Sequence, residues 1–117
     1  MNHNFKNLKI WQLAIEISKE IYLLTNSFPK NEMYALANQI NRAAVSIASN
    51  IAEGSNRSNT HFIHYLNIAL GSSFELQTQL IISNKVGYLT EEHLITIETQ
   101  IIELQKMISG FINKLNN

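Results

Sequence analysis

Between Asn38 and Ser58 the chain reads NQINRAAVSIASNIAEGSNRS. Gln39, Arg42, Ser46, Asn50, Glu53 and Arg57 follow one another at steps of three or four, so a helix places them on one face. Leu36, Ile40, Ala43, Ile47 and Ile51 keep the same spacing on a second face. A polar stripe bordered by alanines predicts a helix packed closely by its neighbours. The fold follows from asking what could pack on it.

Three more segments show helical periodicity. In the first, about residues 8–25, Leu8, Trp11, Ile15, Ser18 and Tyr22 form one stripe and Ile10, Ile17, Ile21 and Leu24 another. Phe28-Pro29 ends it, because the residue before proline is pushed out of helical geometry. The second helix, containing the opening stretch, is predicted over 31–54, with Glu32 in its first turn and Gly54 as a left-handed C-terminal residue. The third, about 60–85, has a main seam of Phe62, Leu66, Ala69, Ser73, Leu76 and Leu80, and a second of Ile63, Leu70, Phe74 and Ile81. Ser58 or Asn59 is placed to cap it, and Gly87 to break it. Thr90 caps a fourth, about 91–115, where Leu94, Ile97, Ile101, Leu104, Ile108, Phe111 and Leu115 alternate steps of three and four.

A chain of 117 residues is one domain by length. Long helices joined by short loops pack antiparallel to their sequence neighbours, which predicts an all-α, up-down-up-down four-helix bundle. Several helices carry two apolar stripes where one would close a bundle; Ile95, Ile102 and Ile112 lie beside the main seam of the fourth. Large apolar patches are unusual on monomers, so the surplus predicts a homo-oligomer.

Composition excludes several functions. There is no Cys, hence no disulfide or thiolate metal site. Nine basic and nine acidic residues balance, which argues against a dedicated polyanion binder. The start, MNHNFKNLK, lacks an apolar signal core, and no apolar run approaches the roughly 18 residues of a membrane span, so a cytoplasmic protein without membrane contact is expected. No Glu is followed three residues later by His, against the di-iron sites of four-helix bundles. His61 and His64 could share a metal but lack a third ligand, and no phosphate loop or nucleophile elbow occurs. No metal, cofactor or enzymatic activity is expected.

Two constellations remain. If the second and third helices pack antiparallel, Arg42 faces Glu75, Ser46 faces Gly71 and Ser72, and Glu53 faces His64. Gln39, Arg42, Ser46, Asn50, Glu53 and Glu75 then make either a structural polar network, with a partly buried Arg42–Glu75 pair its strongest element, or a binding groove. Gly71 is expected to admit close approach of Ala43 and Ala44. The second constellation lies at one bundle end, where Lys6, Lys9, Arg57 and Lys114 gather with His61 and His64, a candidate nucleic-acid contact.

The blocks LKIWQLAIEISKEIY (Leu8–Tyr22), FPKNEMYAL (Phe28–Leu36), QINRAAVSIASNIAEGSNRS (Gln39–Ser58), LNIALGSSFELQTQL (Leu66–Leu80) and VGYL (Val86–Leu89) together resemble the bacterial family of the 23S rRNA intervening-sequence protein, the S23 family. The resemblance implies an up-down-up-down bundle, a homopentamer and no established enzymatic activity. It extends to the accessory variability determinant of diversity-generating retroelements, a basic pentamer that works with a reverse transcriptase and its RNA. This chain departs from that relative in its zero net charge. Family Arg, Asn and Glu positions fall on Arg42, Asn50, Glu53 and Glu75. The expected function is a non-enzymatic oligomeric scaffold with a possible protein partner; the alternative is an accessory protein that binds structured RNA or a reverse transcriptase through its basic end.

Overall fold

The computed structural model describes residues 3–32 and 35–117. Apolar residues at steps of three and four become four helices: α1 (Lys9–Thr25), α2 (Leu36–Gly54), α3 (Asn59–Lys85) and α4 (Glu91–Asn116). Each helix neighbours the next in the chain, and α4 closes against α1, giving a four-helix bundle of 45 × 23 × 20 Å. The core lies along its axis. Ile10, Ile17 and Ile21 enter it from α1, Ile40, Ile47 and Ile51 from α2, Phe62, Leu66, Leu76 and Leu80 from α3, and Ile97, Ile101, Leu104 and Ile108 from α4. Of the two α1 stripes, the one through Ile17 packs inward, while Ile15 and Tyr22 of the other are exposed.

Helix boundaries follow local chemistry. Ser58 Oγ accepts from the His61 amide at 3.4 Å and Thr90 Oγ1 from the His93 amide at 3.1 Å, each supplying a partner for an amide the first turn leaves free. Glu91 and Glu92 then sit where the α4 dipole is positive. Gly87, at φ +88°, reverses the chain between α3 and α4, and Asn84 Nδ2 donates to the Leu89 carbonyl across that turn at 3.0 Å.

Three expectations are corrected. The second helix starts at Leu36, not residue 31: Lys30–Glu32 forms a separate 3-10 turn, and Ala35, at φ −120° and ψ −98°, interrupts helical geometry before Leu36. Glu32 is therefore outside the first turn of α2. Gly54 is not left-handed; it is the last residue of α2, and a Cβ there would stand 2.8 Å from Tyr65 Cβ and 2.9 Å from Phe62 Cδ1. The missing side chain lets α3 approach the end of α2. Gly71, expected to perform that service for Ala43 and Ala44, is exposed, with nothing within 4 Å of its Cβ position.

Candidate functional site

The α2–α3 face divides the polar stripe into three parts. At its centre Ser46 Oγ and Ser72 Oγ stand 2.9 Å apart, and Asn50 Nδ2 donates to the Ser46 carbonyl at 2.8 Å and to Ser46 Oγ at 3.1 Å. All three side chains are half-buried. Serine on both helices keeps the walls low and ties them with one short bond.

Toward the end of α2, Arg57 donates through Nη2 to Glu53 Oε2 at 2.6 Å and through Nε to the Glu53 carbonyl at 3.3 Å. Its guanidinium carbon lies 5.2 Å from the centre of the Tyr65 ring. Glu53 thus pairs within its own chain end and not with His64, which instead meets Tyr65 edge-on. The bond to Glu53 raises the Arg57 pKa further, so this cation is permanent and already answered.

At the other end, Gln39, Arg42, Ala43, Ser46, Glu75 and Gln79 line an open recess of about 400 Å³. Arg42 and Glu75 are brought to the same recess, as their positions in the two helices require, but both are exposed and no ion pair joins them. The partly buried pair expected here does not exist. Long side chains at this outer position reach water more readily than each other, and Coulomb attraction in water is too weak to compel them together. One atom of the recess lacks a partner: Gln79 Oε1 is buried and accepts no hydrogen bond.

The basic end is thinned in the same way. Lys9 and Lys114 converge on one cleft between α1 and α4. Lys6 is exposed in the 3-10 turn Phe5–Asn7, and its carbonyl accepts from Gln12 Nε2 at 2.8 Å. Arg57 is held by Glu53, and His61 Nδ1 lies 3.2 Å from Ser58 Oγ. Among the described residues no group of three or more His, Asp and Glu side chains could hold a metal ion.

Some polar ties have no counterpart in the sequence reading. Gln77 Nε2 donates to Glu98 Oε2 at 2.7 Å while its Oε1 accepts from Gln105 Nε2 at 3.0 Å, joining α3 to α4. Asn41 Nδ2 donates to the buried Thr25 Oγ1 at 2.9 Å, joining α2 to α1. His3 packs between Phe62 and Phe111, with ring centres 5.5 and 5.8 Å away. A polar residue recurring inside an apolar stripe is the signal that marks Gln77 and Gln105.

Four packed helices with a serine–asparagine tie and a charged recess on the α2–α3 face make this a small all-α bundle protein. The chain belongs to the 23S rRNA-intervening sequence protein family, whose profile matches residues 6–110. It is also similar to a crystallised protein of unknown function from the S23 ribosomal protein family of Bacteroides thetaiotaomicron VPI-5482, at 26% identity and a TM-score of 0.79, over 88% of this chain and 97% of that one. No curated protein matches. The family description names no reaction, and the function of the solved relative is unknown. No helix among the described residues is long and apolar enough to cross a membrane.

Proposed function

We propose that this protein is a non-enzymatic scaffold that assembles from copies of itself into a closed ring in the cytoplasm. One observation carries the reading: the bundle has large apolar side chains left over on two different outer faces. Trp11, Ile15, Val45, Ala48 and Ala52 line an apolar groove between α1 and α2, with Val45 55% exposed. Phe74 and Ile81 of α3 and Ile95 and Ile102 of α4 are also exposed, Phe74 at 52% and Ile95 at 57%, and helical phase sets them on the side of the α3–α4 seam bridged by Gln77. Two unlike apolar faces favour a head-to-tail contact over a two-fold dimer, and head-to-tail contacts that close make rings. Five copies is the number the family resemblance implies.

Native mass spectrometry and light scattering at micromolar concentration test this. The expected mass is a whole multiple of the 13.4 kDa protomer, with five the expected count. A monomer at every concentration overturns the proposal. Direct RNA binding is the less well supported role, because the net charge is zero and Arg57 is already paired with Glu53.

A further inference from the structure

Of the four seams that close the bundle, that between α1 and α4 is the most sparsely packed, and at one end it opens into a cleft of about 360 Å³. Ligand pockets run from roughly 300 to 1,000 Å³, so the space suits a small molecule. Leu8, Ile10, Met107 and Phe111 give it apolar walls, all of them wholly or partly buried against the core. Gly110 belongs to the same lining, and no heavy atom lies within 4 Å of where its Cβ would stand. Lys9 and Lys114, both exposed, flank this apolar space.

The charges decide what fits. No carboxylate lines the cleft, and neither lysine forms an ion pair among the described residues. Lys19 and Arg57 show the contrast, since each is bonded to a glutamate one helical turn away. Two exposed lysines without an ion-pair partner at the edge of an apolar slot complement a molecule with a hydrocarbon tail and a single anionic head. We propose that this cleft binds a medium-chain aliphatic carboxylate, its tail against Leu8, Ile10, Met107 and Phe111 and its head between Lys9 and Lys114. The site lies on the α1–α4 seam, away from the two faces proposed to join copies, so it does not depend on assembly.

The test uses the full chain and displacement of the fluorescent probe 8-anilinonaphthalene-1-sulfonate by sodium octanoate, sodium decanoate and 1-decanol, below micelle-forming concentrations. Decanoate should displace the probe saturably at one molecule per chain. Octanoate should bind roughly an order of magnitude more weakly, because each buried methylene is worth about fourfold in affinity. Lys9→Gln and Lys114→Gln should each weaken decanoate about tenfold, as expected for loss of a charge-assisted bond, and leave decanol unchanged. Gly110→Leu should fill the slot and weaken all three. Circular dichroism checks that variant, and the exposed lysine variants keep the test decisive should it fail to fold. Decanol binding as tightly as decanoate overturns the proposal, as does decanoate affinity that ignores both lysine changes. Light scattering on the same samples reports assembly separately.

Discussion

A methyl group at position 54 would stand within 3 Å of Tyr65 and Phe62, whereas one at position 71 would meet nothing within 4 Å. The two glycines should therefore respond oppositely to alanine. Gly54→Ala should lower stability by about 1–3 kcal/mol, the usual cost of overpacking, because the nearer atom is a Cβ fixed to the α3 backbone. Gly71→Ala should raise stability by up to about 1 kcal/mol, since glycine inside an exposed helix gives away backbone entropy. Urea denaturation of the pair reads both. Arg42 belongs to this scale as well: exposed and without an ion-pair partner, its change to Ala should shift stability by no more than about 0.5 kcal/mol. A loss of several kcal/mol would show that Arg42 is paired in solution after all.

The helices are amphipathic elements, α3 and α4 capped by a side chain at their N-termini, and a few polar ties link neighbouring helices. Thr90 Oγ1 supplies the cap of α4, and Thr90→Ala should cost about 1 kcal/mol by thermal melting. Gln77 is a stronger case, because it holds Glu98 and Gln105 at once across the α3–α4 seam. Gln77→Ala would leave a half-buried carboxylate without its donor, at a cost of about 1–3 kcal/mol. The double change Gln77→Leu with Glu98→Leu should recover much of that loss, since replacing both partners leaves no orphaned group. The separate 3-10 turn at Lys30–Glu32 belongs here too: the break before Leu36 is a backbone event at Ala35, a residue whose type favours helix.

At the scale of the molecule, the bundle is sealed along its axis and unfinished on its flanks. If copies join through those flanks, a charge placed there should separate them without unfolding the protomer. Val45→Lys and Phe74→Lys change exposed side chains on different faces, so each should reduce the assembly to smaller species by light scattering while circular dichroism stays helical. Unchanged mass in both variants would move the interface elsewhere.

The sequence by itself determined the four helices, the inward stripes of α2, α3 and α4, the cap at Thr90 and the turn at Gly87. All of these rest on periodicity or on side chains acting within a few residues of their own backbone, and such interactions are written in adjacent letters. The tertiary structure alone decided which of two α1 stripes is core, that Gly54 serves close approach, and that Arg42 and Glu75 share a recess without pairing. It also decided that Arg57 answers Glu53 while Lys9 and Lys114 line one apolar cleft. Those outcomes depend on how far each helix is rotated and how closely it approaches the next. A rotation of a few tens of degrees carries a side chain from bond to solvent and leaves the repeat that predicts the helix unchanged.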